Sequence, residues 1–377
     1  MMSVHPLLAV LPFLVVAATA CAQEPDSAGR RLSDGEVWRT DFSRHSVPLG
    51  EIVSGGPPKD GIPAIDRPRF ESVREAGRWL NDRDPVMVVE NGDVAKAYPL
   101  AILTWHEIVN DEVAGLPVAV TFCPLCNTAL VFDRRLDRRL LDFGATGRLR
   151  HSDLVMYDRQ TETWWQQATG DAIVGELEGK KLRRVPSNTL AWATARELHP
   201  NLRVLSRQTG HDRPYGRNPY AGYDDPGSGP LKRFFNRDAD PRLKAMERVV
   251  AVELGVGWAA PFSALREARV ANAEVKGTPL VALWSPGAAS ALDAAEIARG
   301  RDVGQTAVYD RRVGTRVLTF HPVKGGFRDR ETGSGWTLAG RAVDGPLKGQ
   351  RLRPIPHGNH FWFAWAVFRP ETEVWRP

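Results

Sequence analysis

The feature that most constrains how this chain can fold is a likeness between its two halves. With an offset of 162, Ala97 to Cys126 lies ungapped on Ala259 to Ala288, with Pro99 on Pro261, Asn110 on Asn272, Gly115 on Gly277 and Pro124 on Pro286. Nine of these 30 positions are identical, against roughly two expected by chance at average composition. At an offset of 170, Gly175, Leu182, Pro186 and Trp192 fall on Gly345, Leu352, Pro356 and Trp362, and between the blocks Asp158-Arg159 and Trp165 match Asp329-Arg330 and Trp336. The order is kept throughout. A chain built this way should fold as two copies of one unit, each of ordinary domain size.

Local signals give the unit its class. Val86 to Val89 and Lys96 to Tyr98 read as strands joined at Asn91-Gly92, a type I′ hairpin signal. Leu100 to Val109 has helical spacing, strands are expected at 118–122, 129–132, 154–157 and 163–167, and Ser187 to Leu198 reads as a helix closed by Pro200. The second copy is expected to insert an Ala-rich helix around Ala288 to Gly300. The fold class is therefore α+β, β-rich, with two tandem homologous repeats of mixed strands and short helices. The expected divisions are a signal peptide at 1–20, a tether at 21–40, an N-terminal extension at 41–83, repeat 1 at 84–206, an interrepeat loop at 207–245 and repeat 2 at 246–377. Three tyrosines in the loop, at 215, 220 and 223, argue that part of it packs.

The first twenty residues hold no Lys, Arg, Asp or Glu, and Leu7 to Ala20 is an apolar run too short to span a bilayer. This is the pattern of an export signal, and Cys21 after Ala18-Thr19-Ala20 resembles a lipobox whose cysteine receives lipid. The expectation is an exported protein, periplasmic or on the outer surface, held to the membrane by its N-terminal lipid; plain secretion is the alternative. Fifty basic against 45 acidic residues, scattered along the chain, argue against a nucleic-acid partner. Of three cysteines only two lie in the body, so a disulfide scaffold is excluded.

Comparing the two halves separates packing from chemistry. Glycines, prolines and tryptophans are shared, but Cys123, Cys126, His106 and Glu107 of the first copy become Ser285, Ala288, Ala268 and Arg269 in the second. The first copy also carries about six extra residues within Gly144 to Asp153. A site is therefore expected in repeat 1 alone. Its centre is Cys123-Pro124-Leu125-Cys126-Asn127, between two strand-like runs. As a metal knuckle, both thiolates would face one zinc or copper ion and Asn127 would take φ > 0. A redox dithiol and a structural disulfide clamping a turn are the alternatives. His106 is the expected third ligand, with Glu107, His151, Asp153 and Met156 as further candidates; the Met156 thioether would suit copper. No nucleotide-binding or Ser-hydrolase motif occurs, and whether the protein is an enzyme stays open.

Ser54-Gly55-Gly56-Pro57-Pro58-Lys59-Asp60-Gly61, Thr104-Trp105-His106-Glu107, the Cys-Pro-Leu-Cys-Asn-Thr run, Ser152 to Arg159 and Tyr215-Gly216-Arg217-Asn218-Pro219-Tyr220 together resemble the bacterial domain-of-unknown-function family 3179. The resemblance covers most of residues 40 to 375. It implies an exported protein and supplies no substrate or mechanism. His151 stands where such proteins are expected to carry Asn.

Overall fold

A computed structural model describes Leu32 and residues 35–377. The expected signal peptide, Cys21 and most of the tether lie outside the described residues. The chain is β-rich, 40% strand and 12% helical, with mixed sheets.

Along residues 84–206 the principal elements are β2 (Pro85–Asn91), β3 (Val94–Pro99), α1 (Leu100–His106), β4 (Ile108–Val113), β5 (Leu116–Cys123), β6 (Thr128–Asp133), β7 (Phe143–Arg150), β8 (Asp153–Asp158), β9 (Trp164–Gln166), β10 (Asp171–Val174), β11 (Asn188–Ala191) and α2 (Trp192–Leu198), with β1 (Ile52–Ser54) preceding them. Residues 246–377 run through β12 (Arg248–Glu253), β13 (Gly257–Pro261), α3 (Phe262–Ala268), β14 (Val270–Val275), β15 (Thr278–Ser285), β16 (Gln305–Asp310), β17 (Phe320–Val323), β18 (Gly326–Asp329), β19 (His357–Phe361) and α4 (Trp362–Ala366). Strands β4, β5 and β6 form an antiparallel sheet, and β1, β7, β8, β9 and β10 form a second in that order. A nine-stranded sheet takes strands from both halves, because β11 pairs with β2 on one side and, through Thr189 and Thr306, with β16 on the other. Among the described residues, no helix is long and apolar enough to cross a membrane.

Matched residues make matched contacts. Pro99 and Pro261 each end a strand and stand at the N-cap of a helix, with φ −62 and −64; a fixed φ and no N–H suit that position. The Asn110 side chain exchanges two hydrogen bonds of 2.9 Å with the Phe143 backbone, as Asn272 does with Phe320 at 2.8 and 2.9 Å. Asp158, wholly buried, accepts from Thr161 N (2.7 Å) and Trp165 Nε1 (3.0 Å); Asp329 accepts from Thr332 N (2.6 Å) and Trp336 Nε1 (2.9 Å).

Four local expectations need correction. The helix read over Leu100 to Val109 stops at His106, because β-branched Ile108 and Val109 pair with Thr121 and Val120 instead. The helix read from Ser187 begins only at Trp192, with 188–191 drawn into the large sheet. Around 288–300 only a 3-10 turn forms, Ile297–Arg299, whose residues lie in a run of bridges and turns. The hairpin at Asn91-Gly92 exists, but of its two central residues only Gly92 has positive φ (59), so the turn is not type I′.

The two β-hairpins that follow the matched Phe residues differ in length. In the second half, β17 and β18 pair over four residues each, from Phe320↔Asp329 to Val323↔Gly326. In the first, β7 and β8 start from the same pair, Phe143↔Asp158, and run on past a bulge between Ala145 and Arg148 to Arg150↔Asp153. The extra residues of the first half are this extension. Its tip is Asp153.

Candidate metal centre

Strand β5 runs into a 3-10 turn, Pro124–Cys126, and β6 starts at Thr128, so the two cysteines bracket a one-turn knuckle between strands. Pro124 sets the turn, and Asn127 closes it in the left-handed region (φ 49, ψ 33), which Asn tolerates because its amide hydrogen-bonds locally. Here the Asn127 Oδ1 accepts from Arg248 Nη1 at 2.7 Å, tying the knuckle to the second half. Cys123 and Cys126 are free cysteines, both buried.

The extended hairpin brings the third group. Its tip, His151-Ser152, has φ 53 and 69, two consecutive non-glycine residues in the left-handed region, where a two-residue turn needs them but side chains resist them. The turn delivers Asp153 so that the Cys126 Sγ donates to its Oδ1 at 2.9 Å, while its Oδ2 accepts from Gln166 Nε2 (2.6 Å) and Ala168 N (2.8 Å). Ligand atoms of Cys123, Cys126 and Asp153 all lie within 4.8 Å of one another, a group that could hold a metal ion.

Glu107 joins this region from α1. As the residue closing the helix it takes φ 57, its N–H donating to Leu103 O and its carbonyl accepting from Phe122 N. Arg269 repeats the device in the second half, with φ 64, and accepts from Trp284 N. Burial, then the Asp153 charge, pushes the Glu107 carboxyl up to about 8, and burial pushes Asp153 up to about 6. Burial likewise raises both thiols, Cys126 strongly. Four acidic groups thus lie close together, and at Asp153 the hydrogen bonds from Cys126, Ala168 and Gln166 and the Arg369 charge offset the burial only in part. A divalent cation would reverse the balance, since it stabilises thiolate and carboxylate together.

The other sequence candidates lie elsewhere. His106 is wholly buried, but its Nδ1 donates to Pro63 O at 2.7 Å and its Nε2 accepts from the Tyr215 hydroxyl at 2.7 Å, so both ring nitrogens are occupied and it is outside the Cys-Cys-Asp group. The His151 Nε2 sits 3.1 Å from Glu51 Oε2 on the outer side of the tip. Met156 is a core residue, registered between Ala145 and Trp165. Two residues that sequence reading did not single out as site residues, Tyr220 and Tyr223, close the region from the 207–245 segment. The Tyr223 hydroxyl donates to Leu125 O at 2.8 Å, and burial raises the hydroxyls of both Tyr220 and Tyr223. With Glu107, Leu125 and Leu154 they line a cavity of about 470 Å3.

His106 offers a test of its own. Burial depresses it from 6.5 to about 4. The group is neutral in both states above pH 6.5, so it costs nothing there; as pH falls from 6.5 to 4 the unfolded chain takes up the proton first and stability drops, levelling at about 3 kcal/mol below pH 4. His106→Gln should remove that part of the acid slope, read by urea unfolding between pH 4 and 7.

Residues 59–372 match the family described as protein of unknown function (DUF3179). The chain belongs to this family. Neither a curated protein nor a solved structure matches it. The DUF3179 assignment covers the knuckle, the extended hairpin and the 207–245 segment alike, and leaves the chemistry to be argued from the site.

Proposed function

We propose that this DUF3179 protein is a metalloprotein in which Cys123, Cys126 and Asp153 bind one divalent ion, zinc in preference to copper. The supporting observation is the buried contact of Cys126 with Asp153 at 2.9 Å, three acidic donors converging within 4.8 Å of one another. Two sulfurs and a carboxylate suit zinc. Copper would favour imidazole or thioether donors, and His106 and Met156 are engaged elsewhere. Three protein ligands leave one position of a tetrahedral ion, with Glu107 as the nearby carboxylate. The dithiol reading is less well supported, since burial makes both thiols weak acids and a redox thiol needs a depressed pKa.

We further read 84–206 and 246–377 as tandem repeats, the first bearing the site and the second structural. The matched Asn110/Asn272 and Asp158/Asp329 hydrogen bonds support it. Export, and lipidation at Cys21, are part of the same reading and are tested by the mass of the mature N-terminal peptide. The metal is tested by elemental analysis of protein purified without a metal-affinity tag, together with a thiol count. The expected result is about one zinc per chain and two thiols that react only after chelation. A disulfide, or no metal with two reactive thiols, would overturn it.

A further inference from the structure

The cavity beside Glu107 has a composition of its own. Its walls are apolar over Ile62, Leu125, Leu149 and Leu154, and the 207–245 segment adds Leu231 and Phe234 at its mouth. Leu231 is a large aliphatic residue left 37% exposed there. Arg148, Tyr220 and Tyr223 add polar groups to the lining, and a largely apolar cavity of this size with a few polar groups is the ordinary form of a small-molecule site. Glu107, buried, is the carboxyl among the lining residues. On the rim is Arg233, whose guanidinium lies 4.4 Å from the centre of the Phe234 ring and, among the described residues, pairs with no carboxylate.

We infer that this cavity binds a small organic anion with an apolar body, its charged end at Arg233 and its far end at Glu107. The anionic end is argued from Arg233, a cation held by an aromatic face at the opening of an apolar pocket. The apolar body is argued from the aliphatic walls that separate the rim from Glu107. A cationic ligand would meet Arg233 first and be repelled. The far end would reach the proposed metal past Glu107, and that part alone rests on the metal reading.

Octanoate and octanol serve as probes, titrated calorimetrically against the full chain with its metal content measured in the same sample. Octanoate should bind more tightly than octanol by about fivefold at low salt, the scale of a rim ion pair, and the difference should shrink as salt rises. Arg233→Gln should erase the difference while octanol binding stays. Leu231→Trp, placed at the mouth, should weaken both. The inference is overturned if octanol binds as tightly as octanoate, if Arg233→Gln leaves the preference intact, or if neither probe binds protein whose circular dichroism shows it folded. Binding that persists in metal-free protein supports the pocket and overturns only the contact of the far end with the metal, while the metal reading stands or falls on elemental analysis, so the two can fail separately.

Discussion

On the proposed site, Cys126→Ser should reduce bound zinc from about one ion per chain to less than about a tenth, because one of the three proposed ligands is lost where affinity depends on thiolates. Asp153→Asn keeps the volume and one oxygen donor but removes the charge, and should weaken zinc by about 10 to 100-fold. His151→Gln and Met156→Leu should leave metal content unchanged, since the first side chain faces Glu51 and the second lies in the core. His106→Gln should also retain it, because both imidazole nitrogens are already bonded to Pro63 and Tyr215. The expectation from sequence, that His106 supplies a ligand, predicts the opposite, so these variants separate the two. Stability gives an independent measure: zinc at a hundred times its Kd adds about 2.7 kcal/mol to the folded state, and chelation should remove that amount from wild type and none from Cys126→Ser.

The second large effect concerns the frame. Asp158→Ala removes a wholly buried carboxylate and leaves the Trp165 Nε1 and the Thr161 N–H without their acceptor, which should cost about 3 to 5 kcal/mol. Asp329→Ala makes the same loss at Trp336 and Thr332 and should cost the same within about 1 kcal/mol. The double variant should show the sum, because the sites share no partner. Urea midpoints measure all three. A cost at Asp158 several times that at Asp329 would count against equivalent roles in tandem repeats. Zinc content separates this frame from the site, since Asp329→Ala should leave it untouched.

Much of the local geometry was legible because it is set within a few residues. Cys-Pro-x-Cys-Asn between β-favouring runs favours a tight turn whose last residue tolerates φ > 0 over a helix start, and Asn127 takes that conformation. Local patterning located most of the strands, and comparing one half with the other drew attention to Cys123, Cys126, Glu107 and the extra residues before Asp158, but equally to His106, which lies outside the cysteine group. Where propensity misled, pairing decided. Ile108-Val109 fitted a helical period equally well, and only β5 alongside made them a strand.

What the sequence by itself determined, then, was the knuckle, the asymmetry between the halves and the β-rich class. These rest on backbone preferences and on a comparison internal to the chain. Only the tertiary structure decided which candidate meets the sulfurs. The side chain at the tip of a hairpin faces one way or the other with a single-residue change of register, and the bulge between Ala145 and Arg148 together with the His151-Ser152 turn sets Asp153 toward Cys126. In the same way His106 and Glu107, adjacent in sequence, part company. The left-handed turn at Glu107, fixed by Leu103 O and Phe122 N from two different elements, sends the carboxyl to the cavity and the imidazole to Pro63 and Tyr215. A positive φ at a glutamate is unfavourable locally; the helix-closing bond to Leu103 O and the long-range bond from Phe122 N hold it, and no spacing rule reveals the second.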